Sequence, residues 1–342
     1  MGARGASYRA LAVAIFCTGL ISAACSAETP IKFSLDFKFE GPSAPFLLPL
    51  DKGYYKAEGI NVSIDTATGS PESISRVAGG VYDMGFADIN ALIKYRDANP
   101  AIPLKAVFMV YNRPPYAVIG RKSRGINAPK DLEGKILGAP AADISFAQWP
   151  IFVKANGIDA GKVKIENVGF PVREPMLAAG QVDAVTGFSF ATFVDLKDKG
   201  VPVGDITVLL MADTGVDLYG SAIFVNPKFA AEHGDSVRGF LRAYLKGLKE
   251  TVKAPAAAVE TVLKRNDTAK KPAELERLNI AIRDNIVTPE VKANGYGGID
   301  PARFENAIEQ LGLTAKWKGA KPKLDDVFDA SFLPSDVDRK IK

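Results

Sequence analysis

The chain has 342 residues, 47% of them hydrophobic, with 43 Lys and Arg against 39 Asp and Glu for a formal net charge of +4. That near-balance, with no long basic run, excludes nucleic acid as a partner, while the length suits two domains. One histidine and two cysteines leave too few parts for a histidine-based metal site or a Ser-His-Asp triad.

The first 27 residues read as a signal peptide. Arg4 and Arg9 form a positive start, residues 11–21 an apolar run shorter than the roughly 20 residues that span a bilayer, and small residues follow. Cys25 and Ala27 suit cleavage after Ala27. The rival, lipid attachment at Cys25, meets Ser22 where a branched apolar residue is usual. An uncleaved anchor is the third reading. Cleavage leaves residues 28–342, which hold no cysteine and carry a net charge of +2. Without a disulfide or thiol nucleophile, the mature chain relies on its core. It has no second apolar stretch of membrane length, so it is expected not to span a membrane.

From Ile31 onward, short apolar runs alternate with helical patterns, the signature of an α/β fold with largely parallel strands. Residues 31–37 alternate with period two and read as a strand. Residues 46–55 read as a helix closing at Gly59, 60–65 as a second strand, and Ser70-Pro71 as a capped helix start. Residues 82–86 give a third strand, after which Asp88 caps a helix. Two extended passages follow, 104–111 running on to 117–120, and 206–211 leading to 221–225. The block between them has a helix signal at 130–134, a strand at 135–139, a helix at 145–156 ended by Gly157, and strands at 164–168 and 182–186. A block entered and left by extended strands reads as a second lobe inserted into the first. The C-terminal third is helical. Val237, Phe240, Leu241, Tyr244, Leu245 and Leu248 mark one apolar face, Leu275, Leu278 and Ile282 another, and Phe304, Ala307, Ile308 and Leu311 a third between Asp300 and Gly312. These faces are core.

Catalytic motifs are missing. His233 precedes a helix start and reads as a cap or surface residue. No Gly-rich nucleotide cradle is present, and the Asp325–Asp326 pair lies in a charged, solvated tail. No cofactor and no metal is expected. What the chain does offer is a set of strand ends with polar or aromatic tips, where open α/β sheets bind ligands. These tips are Asp36 to Phe39, Thr68 to Ser70, Ala87 to Asn90, Ala142 to Ser145 and Gly187 to Phe190. Each alone is also what a cap or turn would use.

Four segments carry a family resemblance: LDKGYYKAEGINV at 50–62, GGVYDMGFAD at 79–88, PKDLEGK at 129–135 and LAAGQVDA at 177–184. In order and spacing they resemble the solute-binding proteins of ABC importers, in the nitrate/sulfonate/taurine and thiamine-pyrimidine-precursor group, over residues 31–265. The resemblance implies a type II-like, two-lobed periplasmic binding protein with its ligand cleft between the lobes. Residues 28–117 would form the first part of lobe I, 118–217 lobe II, and 218–342 the rest of lobe I with the C-terminal helices. Hinge crossings would lie near residues 116–120 and 217–221.

The resemblance also implies a function. The chain would be a periplasmic, monomeric solute-binding protein that catalyses nothing and serves an ABC permease and ATPase. Phe37 and Phe39 would stack on the ligand, Gly69, Ser70, Asp88 and Asn90 would hydrogen-bond from the first lobe, and Asp143, Ser145, Phe188 and Phe190 would answer from the second. Asp217 would reach in at the return crossing. Arg76, Arg113 and Arg173 are candidate anion contacts or surface ion pairs. Tips rich in Phe and Asp favour a planar or aromatic, neutral or cationic solute, such as a pyrimidine-like precursor, over a small anion. One alternative is a binding module that feeds a sensor. Another is a pyrimidine-synthesising enzyme on the same scaffold, whose relatives use a histidine and cysteine-bound iron.

Overall fold

The computed structural model describes residues 1–2 and 28–341. The cleavage and lipidation readings, and both cysteines, lie outside these residues. Among the described residues, ten strands form two five-stranded sheets of matching plan. The first holds β1 (Thr29–Ser34), β2 (Ile60–Asp65), β3 (Met84–Asp88), β4 (Lys105–Met109) and β10 (Ser221–Val225), in the order β2-β1-β3-β10-β4. The second holds β5 (Tyr116–Arg121), β6 (Ile136–Ala139), β7 (Lys164–Asn167), β8 (Ala184–Phe188) and β9 (Ile206–Leu210), in the order β7-β6-β8-β5-β9. Three neighbouring strands of each sheet run parallel, as helix-linked strands must. The strand that follows each crossing, β10 in one sheet and β5 in the other, runs antiparallel to both its neighbours. The fold is the two-lobed α/β architecture expected, with the second lobe inserted in the first.

The strand edges differ from their sequence reading in ways that matter for the cleft. β1 stops at Ser34 rather than at residue 37, which leaves Asp36 to Phe39 as a loop beyond the strand end. β3 runs to Asp88 and β8 to Phe188, each two residues later than the apolar run suggested. Phe190 therefore lies in the helix Ser189–Asp198, and Phe188 and Phe190 are not strand residues sharing one face. A boundary at 117/118 cuts through β5, because Tyr116 and Ala117 already pair with Phe188 and Gly187 in the second sheet. The helix at 46–55 is two helices, Ala44–Asp51 and Tyr54–Ala57, separated at Gly53, whose φ of 70° favours glycine. The helix signal at 130–134 is a single 3-10 turn, Pro129–Leu132.

The faces at 237–248 and 304–311 are buried, whereas in the face at 275–282 Leu278 is buried and Leu275 and Ile282 are half-buried. Phe33 lies 5.0 Å from Phe240 and 5.3 Å from Phe46 between ring centroids, and Phe46 lies 4.6 Å from Tyr244. Helix Gly234–Lys253 thus backs the first sheet with its whole apolar stripe. Helix Pro301–Leu311 is capped by Asp300, whose carboxylate accepts from the Arg303 amide at 2.9 Å. Helix Lys271–Ala281 joins the lobes. Its Glu274 accepts from the Gly41 amide at 2.6 Å on the first-lobe side. Its Arg277 pairs with Asp195 and its Glu276 with Lys197 (2.6 Å), both on the second-lobe helix Ser189–Asp198. No helix among the described residues is long and apolar enough to cross a membrane.

Candidate functional site

A cleft opens between the sheets beyond the carboxyl ends of their strands, as the α/β rule requires. Its cavity is about 100 Å³. Roughly 150 Å³ admits a benzene in an engineered cavity, so a ring-sized solute needs the lobes to part slightly. The first lobe contributes Asp36, Phe37, Lys38 and Glu40 from the loop after β1, Gly69 and Ser70 before helix Ser70–Ala78, and Phe46, Phe86 and Tyr111 from its core. The second contributes Ala142 to Ile144 after β6, Phe170 and Arg173 after β7, and Phe188, Phe190 and Ala191 after β8.

Aromatic rings of the two lobes meet at two places in this wall. Phe37 meets Phe170 edge-on at 6.2 Å, Tyr111 meets Phe190 at 6.0 Å, and Phe190 meets Phe188 at 5.7 Å. Such contacts suit a flat apolar body and hold the rings in fixed orientations.

The charges are mostly paired within the wall. Lys38 Nζ lies 3.0 Å from Glu40, which burial pushes up and Lys38 pulls back down. Arg173 is buried and gives its Nε to Glu174 at 2.8 Å, with Asp143 3.8 Å away. Asp143 accepts from Thr186 Oγ1 at 2.6 Å and from the Ser145 amide at 2.9 Å, and burial raises its pKa against the pull of Arg173. Asp36 accepts a hydrogen bond from Ser70 Oγ at its Oδ2, at 3.1 Å. Burial pushes its carboxyl up to about 7, with Asp88 adding to the rise and the Ser70 bond opposing it.

Six of the twelve residues expected to touch ligand line the cleft: Phe37, Gly69, Ser70, Asp143, Phe188 and Phe190. The other six do not line it. Asp88 and Asn90 are buried at the crossings instead. Asp88 caps the helix Ile89–Ala98 through the Ala91 amide and accepts from Tyr116 Oη, while Asn90 Nδ2 donates to Tyr116 Oη at 2.9 Å and to the Tyr219 carbonyl at 2.8 Å. Asp217 is held by Arg303 at 2.8 Å and its amide by Gln310, which turns it toward the C-terminal helix. Arg113 pairs with Asp213 at the return crossing, and Arg76 with Glu72 on its own helix. Ser145 is wholly buried behind Asp143. Phe39 packs on the first-lobe core, because β1 ends early and the loop turns it inward.

Phe170 and Tyr111 show what the sequence reading passed over, whereas Arg173, read there as a candidate anion contact or surface ion pair, lines the wall in a buried pair. Phe170 follows β7 and Tyr111 follows β4, so the strand-end rule would have found both had it been applied to every strand. His233, the chain's one histidine, lies between two helices with its ring 4.8 Å from Phe229 and is not part of the cleft wall.

Known proteins place the chain further. The profile of the family described as NMT1/THI5 like matches residues 42–258. The formylaminopyrimidine-binding protein of Halalkalibacterium halodurans is 27% identical over 77% of this chain and 78% of its own length. The riboflavin-binding protein RibY of Chloroflexus aurantiacus is 27% identical over 64% of this chain and 62% of its own. A 4-amino-5-hydroxymethyl-2-methylpyrimidine phosphate synthase of Legionella pneumophila is 26% identical over 67% of this chain and 71% of its own. Among solved structures, the periplasmic aliphatic sulphonate binding protein SsuA of Escherichia coli superposes with a TM-score of 0.67 at 13% identity, covering 83% of this chain and 86% of that one. At that identity the likeness is one of fold, the periplasmic-binding-protein fold.

Proposed function

The chain belongs to the NMT1/THI5-like family, and on that premise we propose that it is the extracytoplasmic solute-binding component of an ABC importer. It captures one small molecule per chain by closing its lobes and hands it to a permease driven by an ATPase. It works as a monomer in the periplasm after its leader is removed.

The observation that carries this reading is the cleft itself, walled from both lobes by aromatic rings and paired charges. Such a wall binds and orients a solute. Two relatives named as binding proteins support it. The family also includes pyrimidine phosphate synthases, and the enzyme reading needs a histidine at the reacting centre. His233 is the chain's sole histidine and lies outside the cleft wall.

The test is thermal shift of the purified chain against pyrimidines, flavins, sulfonates, nitrate, aromatic acids and amines, with calorimetry on each hit. A solute that saturates at one per chain with about micromolar affinity, near 8 kcal/mol, and is recovered unchanged is the expected result. Conversion of a bound compound to product overturns the reading.

A further inference from the structure

We infer that the cleft selects an organic cation, whose charge rests on the Asp36 carboxyl while its apolar body fills the aromatic wall. The inference deepens the solute-binding reading and rests on it.

The argument is one of charge pairing. Lys38 is taken up by Glu40 at 3.0 Å, and Arg173 by Glu174 and Asp143. Among the carboxyl groups lining the cleft, Asp36 is the one with no cationic partner among the described residues; its side-chain partner is the Ser70 hydroxyl. In the next layer Arg277 lies between Glu274 and Asp195, and Lys94 faces Asp88 from the adjoining hollow rather than from the cleft wall. The first lobe therefore brings two carboxyls and one base to the cleft and the second lobe one of each, and an anion would find both basic groups occupied. The wall already seats cations over rings, with Lys38 Nζ 5.6 Å from the Phe37 centroid and Arg173 5.6 Å from that of Phe170. A sulfonate or nitrate fits none of this.

Binding is then linked to a proton. The groups facing Asp36 are Ser70 and Asp88 from the elements behind it, Lys38 and Glu40 on its own loop, Tyr111 beside it, and Asp143 with Arg173 across the cleft. In the free protein the carboxyl loses its proton near pH 7. Below that pH, a cation must drive the proton out to solvent before pairing, so affinity rises with pH and levels off above about pH 8.

The experiment uses one ring in three charge states: 1-methylnicotinamide (a permanent cation), nicotinamide and nicotinate. Calorimetry of the purified protein at pH 5.5, 7 and 8.5, in two buffers of different ionisation heat, reads affinity and proton release together. The expected result is at least a tenfold preference for the cation over nicotinamide at pH 8.5, shrinking toward pH 5.5 with a proton released. Asp36→Asn should bring the preference within about twofold and remove the pH dependence. Ser70→Ala removes the hydroxyl that favours the ionised carboxyl, so it should shift the inflection to higher pH. Equal affinities, a preference for nicotinate, a pH-independent preference, or silence to all three overturns the inference. If the cation series fails while an anion or neutral solute saturates the cleft, the solute-binding reading stands and only the charge class falls.

Discussion

Tyr116 donates its phenolic hydroxyl to the Asp88 carboxylate, which ties the first residue of β5 in one sheet to the last residue of β3 in the other. Asn90 reaches the same hydroxyl and also the carbonyl of Tyr219 on the returning segment, so one buried polar knot holds both crossings. Tyr116→Phe should cost about 1–3 kcal/mol, because Asp88 and Asn90 lose a partner they cannot replace with water. Urea denaturation checks this, and a stability within a few tenths of the parent would show that the knot is idle.

Two acidic groups, Asp36 in the cleft wall and Asp88 at the crossing, shape the pH dependence of stability. Asp36 and Asp88 are raised above the usual carboxylate range to about 7 and about 6, burial being the main cause in both. A raised carboxyl favours the folded state below its unfolded pKa of about 4, and that contribution is lost as pH climbs through 6 to 7. Asp36→Asn should therefore melt higher than the parent at pH 8 by a few degrees, with the gap closing toward pH 4. A gap that is constant with pH would mean that the carboxyl is not strained when ionised.

Helix Lys271–Ala281 is held to the second lobe chiefly through Arg277, a buried cation between Glu274 and Asp195. Arg277→Met should destabilise by about 3 kcal/mol, since it strands buried carboxylates rather than merely deleting a pair. Adding Glu274→Gln should recover part of the loss, and a chevron or equilibrium melt of the double variant reads it.

Gly187 lies in β8 where a Cβ would collide with Thr192 Oγ1 and stand 3.0 Å from Arg173 Nη1. Gly187→Ala should push Arg173 off Glu174 into the cleft, lowering affinity for the bound solute about tenfold and stability by about 1–3 kcal/mol. Calorimetry with unchanged affinity would show that the arginine yields without cost.

Much of the scaffold was legible because its signals are local. The apolar stripe of helix Gly234–Lys253, the Asp300 cap and the extended passages around the crossings each declare themselves within a dozen residues. The site was half legible. The strand-end rule found Ser70, Asp143 and Phe188, and it pointed to Asp88 and Asn90 just as firmly. Nothing local told a cleft-lining residue from a hinge contact there, since the difference is made by Tyr116 and Tyr219, which are far away in sequence. Phe39 was misplaced for a related reason, because its direction depends on where β1 stops, and that is set by pairing with β2.

The position of β10 between β3 and β4 imposes an order on assembly. As the chain is made from its amino end, β1 to β3 can pair early, whereas β4 has no neighbour in its sheet until residues 221–225 emerge. Residues 116–210, which are continuous, supply every strand of the second sheet before then. The inner lobe can therefore close while the outer one still shows the bare edge of β3, a template for wrong pairing. Any change that delays β10 lengthens that exposure, even if it leaves the finished protein as stable as before.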